Sequence, residues 1–308
     1  MSGGSGATGQ VVPALAIASG MLRTAAVRWH LPRMWRPFLI LLLSCAPVRG
    51  EAVEPVGERR GLVLRDPSPL AEKTRFLERV LMPTTADRLS RFEQVSGQQV
   101  SPLSLDTGEE RADAWVPAHK PPGGYGVIVF VSPTPEWPVP RAYRKTLDAH
   151  GIIWIAARRS GNRESVYDRR MPLALHALEW VERRFPVNPD RRYIAGFSGG
   201  GRVAQRIALA WPDVFSGALL IAGSDPFGEN GTVLPTRDRF ARFQQHTRIV
   251  FATGMQDTPN RTHDKRTRDT MQAYCVAHLF RHLQSRTEHW IPDGRGFARA
   301  VRDLDTPR

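Results

Sequence analysis

The sequence predicts an α/β fold, a mostly parallel sheet with helices packed on both faces. Three observations carry the prediction. From about residue 125 onward, apolar runs of strand length alternate with segments of helical periodicity. One run, Tyr125 to Val131, is almost continuously apolar, as a parallel strand covered on both faces must be. The stretch Tyr193-Ile194-Ala195-Gly196-Phe197-Ser198-Gly199-Gly200-Gly201 places Gly-x-Ser-x-Gly between a strand and a helix.

In chain order, residues 1–50 form an N-terminal extension and signal segment. They are Gly/Ala/Ser-rich and then basic, and Met21 and Met34 stand beside Met1 as alternative starts. Phe38 to Leu43 is an apolar run of signal-peptide length, bracketed by Pro37 and Pro47 and too short to span a bilayer. Val48-Arg49-Gly50 offers small residues for cleavage before Glu51, while Leu42-Leu43-Ser44-Cys45 resembles a lipid-attachment box. Export to the periplasm or the exterior is expected, with membrane attachment only if Cys45 is lipidated.

Residues 51–95 read as a polar linker, to about residue 70, followed by two short helices split at Pro83. The third region, 96–308, is the α/β domain. Ser101 to Leu105 and Ala112 to Val116 read as two strands joined by Asp106-Thr107-Gly108, a hairpin signal. After the strand at 125–131 come a helix over Arg141 to Ala149, a strand over Ile152 to Ala157 and a helix over Met171 to Phe185. An Asn188-Pro189-Asp190 turn leads into a strand over Arg192 to Ala195. After the glycines, Val203, Ala204, Ile207, Ala208 and Trp211 recur at helical spacing until Pro212. Ala218 to Ala222 and Ile249 to Ala252 are further strands, Lys265 to Phe280 a helix on Met271, Tyr274, Cys275 and His278, and Phe280 to Leu283 a weak last strand. A final helix carries Phe297, Val301 and Leu304. No large lid domain is inserted.

Composition narrows the function. With only Cys45 and Cys275, the chain has neither a disulfide framework nor a cysteine-rich metal site. No metal and no cofactor is expected. The formal charge is +13, and five arginines fall in residues 1–50 without any acid, leaving +8 on the remainder. That excess is scattered, with no interleaved aromatics, which argues for a solvated basic face and against a nucleic-acid partner.

Gly196-x-Ser198-x-Gly200 is the pattern of a nucleophile elbow. A serine thrust out of so tight a turn needs neighbours without Cβ atoms. Such a serine needs a base, and the base an orienting acid. Asp257 follows the strand 249–252 by a few residues and is the favoured acid, with Asp225 the rival and Asp264 third. His289 lies in the loop after the last strand and is the favoured base; His246 sits at the wrong end of a strand, His278 on an apolar helix face, and His263 beside Asp264 in a polar loop. The Gly199 N–H, next to the nucleophile, should face a developing oxyanion. In the loop Ser132-Pro133-Thr134-Pro135 the prolines lack an N–H, so Thr134 is the second expected donor and Ser132 the runner-up. Arg158, Arg159, Asn162 and Arg163 follow a strand on the same edge and are candidate contacts for an anionic or polar substrate.

Asn188 to Arg202, Trp211-Pro-Asp-Val-Phe215, Gly223-Ser-Asp225, Thr253-Gly-Met-Gln-Asp257 and His289-Trp-Ile-Pro292 together carry a resemblance. Over about Ala112 to Phe297 the chain resembles the α/β-hydrolases, in flavour the lidless secreted esterases related to poly(3-hydroxybutyrate) depolymerases and to feruloyl and acetylxylan esterases. It departs from them in carrying Ser132-Pro133 where many have His-Gly, and in lacking Gly-x-Gly-His before the base. The resemblance implies a secreted serine esterase with Ser198 as nucleophile, Asp257 as acid and His289 as base, acting on a small or polymeric ester. Two other readings stand beside it: a serine peptidase, and a non-catalytic binding or envelope protein on the same fold.

Overall fold

A computed structural model describes residues 56–100, 105–285 and 287–306. The expected export segment, with Cys45, Met21 and Met34, lies outside the described residues.

The elements run β1 (Gly57–Val63), α1 (Lys73–Val80), α2 (Pro83–Ser96), β2 (Arg111–Val116), β3 (Tyr125–Val131), α3 (Arg141–His150), β4 (Ile152–Ala157), α4 (Met171–Glu182), β5 (Val187–Phe197), α5 (Gly199–Ala210), β6 (Gly217–Ile221), α6 (Arg237–His246), β7 (Arg248–Gly254), α7 (Thr258–Ala273), β8 (His278–Gln284) and α8 (Gly294–Leu304). The strands form one sheet in the order β1-β2-β4-β3-β5-β6-β7-β8. β2 is antiparallel to both its neighbours, and every pairing from β4 to β8 is parallel. This is the mostly parallel sheet with helices on both faces that the alternation predicts, and the α/β-hydrolase fold that the resemblance implies.

All residues of β3, β4 and β6 are buried, and their side chains alternate between two cores. Val127, Val129, Ile153, Ile155, Ala218 and Leu220 face α4 and α5, with Phe76 and Val80 of α1 added at the flank. Ile128, Phe130, Trp154, Leu219 and Ile221 face α3 and α8 through Tyr143, Leu147, Phe297 and Val301. A strand that buries both sides has no polar alternation to show, which is why these segments read as solid apolar runs.

Four expectations change. The stretch taken for a polar linker contains β1, paired with β2 over Gly57↔Val116 to Val63↔Arg111 around an irregularity between Arg59 and Leu62. Gly61 sits there at φ +65°, and its N–H donates to Asp113 Oδ1 at 2.9 Å. As an edge strand, β1 carries charges that hide its pattern: Glu58 pairs with Arg60 and Arg144. The partner expected for β2 at 101–105 is therefore β1; residues 101–104 lie outside the described residues, Leu105 is not in a strand, and Asp106 to Glu109 form a turn. Asn188 to Asp190 belong to β5, where they make a bulge against β3 between the Tyr125↔Val187 and Val127↔Arg192 pairs. The helix expected over 265–280 begins at Thr258, with Pro259 in its first turn, and stops at Ala273. Cys275 turns the chain at φ +57°, and His278 opens β8, its Nε2–H donating to the Gln245 carbonyl at 3.0 Å.

His176, on buried α4, accepts the Ser68 N–H on Nδ1 at 2.9 Å. Burial pushes its pKa down to about 4 from 6.5, against the opposing pull of Glu110. The unfolded chain therefore takes up this proton first, and stability from this residue is complete above about pH 6.5 and lost as the pH falls toward 4. The loss is on the order of 3 kcal/mol. Thermal unfolding followed across that interval should show the decline in the wild type and a shallower one in His176→Gln.

Candidate active site

The centre of the site is a turn that most residues cannot make. β5 ends at Phe197, α5 begins at Gly199, and Ser198 between them holds φ 55° and ψ −124°. So strained a conformation persists only where its surroundings enforce it. A Cβ on Gly196 would lie 2.2 Å from the Gly200 carbonyl oxygen, and one on Gly200 would lie 2.0 Å from the Val131 carbonyl oxygen. Both obstacles are backbone, so neither glycine tolerates a side chain while the elbow keeps its shape. Gly200→Ala is expected to lower the unfolding midpoint by roughly 2–6 °C, from an overpacking cost of about 1–3 kcal/mol in a chain of this size. A thermal melt checks it; an unchanged midpoint would mean that the turn is looser than described.

The structure brings the expected serine, histidine and acid together. Ser198 Oγ lies 2.9 Å from His289 Nε2, and His289 Nδ1 lies 2.7 Å from Asp257 Oδ2. A carboxylate only accepts, so Nδ1 carries the proton and Nε2 is left to accept from the serine hydroxyl. Asp257 is buried at 5% exposure and caps the N-terminus of α7, where the helix dipole favours its negative charge. The Asn260 side-chain amide donates to both Asp257 oxygens at 2.9 Å, one turn into the helix that the acid caps. The sequence reading missed Asn260; its signal was an amide three residues after a capping acid.

The two rival acids are occupied elsewhere. Asp225 is fully buried, ion-paired with Arg202 and Arg206, and accepts from Asn230 Nδ2. Asp264 accepts from the Ser224 hydroxyl at 2.6 Å and from the Thr253 hydroxyl, and burial holds its pKa above the usual carboxylate range despite both bonds. His282 is paired with Asp303.

The base is framed by aromatic rings. Phe197 packs against the His289 ring at 4.9 Å, Trp137 lies 5.8 Å from Phe197, and Trp290 stands 6.1 Å from both Phe197 and Trp137. Trp290 is 59% exposed, so the wall opens to solvent beside the base.

The loops after β3 and β4 close the other side. Arg170, 4% exposed, donates from Nε to the Ser160 carbonyl at 2.7 Å and from Nη2 to the Ser132 carbonyl at 3.0 Å, tying the two loops together. Burial, helped by the nearby Arg206 charge, pulls its pKa down to about 10, which still leaves a cation at neutral pH. The Thr134 N–H, expected to face an oxyanion, instead donates to Ser132 Oγ at 2.9 Å, and Ser132 itself is fully buried. An ST-type turn satisfies that donor locally. Arg158 and Arg159 are likewise engaged, with Asp113 and Glu110 respectively, which removes them as free substrate contacts. Asn162 lies against Gly199, its side chain closing on the space that a Cβ there would take.

Residues 159–287 match the family model described as "Putative esterase". The matched stretch includes Ser198 and Asp257 and ends just before His289. The match bears out the resemblance to esterases of the α/β-hydrolase superfamily and the expectation of a carboxylic ester hydrolase. No curated protein matches the chain. Among solved structures, the S-formylglutathione hydrolase FrmB of Staphylococcus aureus is 14% identical at a TM-score of 0.47, over 63% of this chain and 90% of its own. Est1E of Butyrivibrio proteoclasticus is 12% identical at a TM-score of 0.47, over 66% of this chain and 96% of its own.

Proposed function

We propose that this esterase-type α/β-hydrolase is an exported serine hydrolase that cleaves carboxylic esters through an acyl-enzyme on Ser198, with His289 as base and Asp257 as its orienting acid. The observation that carries the reading is the unbroken line of hydrogen bonds from Ser198 Oγ through the imidazole to Asp257, 2.9 and 2.7 Å in its two steps. The Ser198 hydroxyl attacks the ester carbonyl as His289 Nε2 takes its proton. Asp257 stabilises the resulting imidazolium, and the Gly199 N–H donates to the oxyanion. The carbon–oxygen bond then breaks, and the departing alkoxide takes the proton from His289. A water, deprotonated in turn by His289, releases the acid and restores the serine. Export rests on the basic, apolar and small-residue pattern before Glu51.

The test is direct. Purified protein should turn over short-chain p-nitrophenyl esters and take up one fluorophosphonate, bound at Ser198 by peptide mass. A protein that does neither would be a non-catalytic member of the fold, and cleavage of peptides in preference to esters would make it a peptidase.

A further inference from the structure

We propose that the Asn162 side-chain amide is the second oxyanion donor of the Ser198 site, an inference that rests on the ester-hydrolase reading and names a part of its machinery. A tetrahedral intermediate on Ser198 needs two donors. The Gly199 N–H supplies one. In the loop after β3, Pro133 and Pro135 have no N–H, the Thr134 N–H is spent on Ser132 Oγ at 2.9 Å, and Ser132 is fully buried.

The carboxamide of Asn162 stands against Gly199. Measured from where a Cβ on Gly199 would sit, Asn162 Oδ1 is 2.2 Å away, Cγ 2.9 Å and Nδ2 3.2 Å. The amide thus fills the side-chain space of the residue that follows the nucleophile, against the backbone whose N–H is the first donor. Its own polar atoms take no hydrogen bond among the described residues, and the residue is exposed. The two ends of a carboxamide are nearly the same shape, so a half-turn about its last bond brings the NH2 to the position of Oδ1.

The backbone beneath is held firmly. The Asn162 N–H donates to the Pro133 carbonyl at 2.9 Å, and a Cβ on Gly161 would come within 2.9 Å of the Thr134 carbonyl carbon, so the two loops are in contact. Arg170 then clamps both from below through the Ser132 and Ser160 carbonyls. A donor on so constrained a loop is preorganised, which is what makes such a group effective in the transition state. This chain thereby replaces a main-chain N–H after β3 with a side-chain amide after β4.

The experiment compares wild type, Asn162→Ala, Gly199→Ala and the double variant on p-nitrophenyl acetate, with inhibition by a trifluoromethyl ketone measured in parallel. Asn162→Ala should lower kcat by about 10²–10³-fold with KM changed little, as loss of one oxyanion donor does. Affinity for the ketone, which forms a tetrahedral adduct, should fall by a similar factor. The methyl of Gly199→Ala would displace the amide, so the double variant should be little worse than the worse single one. A kcat within threefold of wild type in Asn162→Ala, or a rise in KM with kcat unchanged, would overturn the proposal while leaving the ester-hydrolase reading intact. Wild-type protein without Ser198-dependent turnover would overturn both.

Discussion

Replacing Ser198 with alanine is expected to lower ester turnover about a million-fold and to abolish fluorophosphonate labelling, with the fold unchanged. The magnitude follows from what the hydroxyl does. Without it no acyl-enzyme forms, and the residual rate comes only from binding and the oxyanion donors. His289→Ala should be nearly as severe, because a serine hydroxyl at neutral pH is a poor nucleophile until its proton has an acceptor, here Nε2 at 2.9 Å. The double variant should be no worse than either single one, since the two groups act in one step. Alanine removes the hydroxyl but keeps a Cβ, so the strained turn at φ 55° is retained. Circular dichroism and the melting profile of Ser198→Ala should therefore match the wild type. Turnover surviving the substitution would assign the chemistry to another residue.

Asp257→Asn should cost about four orders of magnitude in kcat through the proton it misplaces. An amide at that position can donate to Nδ1, which stabilises the tautomer with its proton on Nε2, facing the serine. The imidazole is then a donor where a base is needed. Asp225→Asn and Asp264→Asn give the contrast. Asp225 is tied to Arg202 and Arg206, and Asp264 to Ser224 and Thr253, so their loss should register in thermal stability while activity per folded molecule stays near wild type. Stopped-flow or steady-state kinetics on the three variants separates them, and an Asp225→Asn variant as inactive as Asp257→Asn would move the acid.

How much of this was legible in residues depends on how local the physics is. The elbow was, because its geometry demands glycines at fixed offsets from the serine, and close backbone contacts leave a mark in sequence. The central strands were, because burial on both faces leaves an unbroken apolar run. β1 was not: an edge strand with Glu58, Arg59 and Arg60 looks like any polar segment, and its pairing depends on β2, some fifty residues on. The helix after Asp257 was placed too late because Met271, Tyr274, Cys275 and His278 keep a helical spacing across the point where Cys275 leaves the helix. Eliminating prolines points to Thr134, but it shows only which N–H groups exist and not where they are used. Asn260 and Asn162 are ordinary polar residues in sequence and become significant only when folding sets them beside Asp257 and Gly199.

The position of β1 sets where the chain can be shortened. β1 covers the outer side of β2, so a protein trimmed back to residue 56 keeps every described strand, whereas one beginning at residue 65 opens the unshielded side of β2 from Arg111 to Val116. The Ser198 site lies on the far side of β4 and β3 from that border and would be left intact. The failure would be colloidal: an open row of backbone donors and acceptors recruits other chains before any catalytic deficit appears.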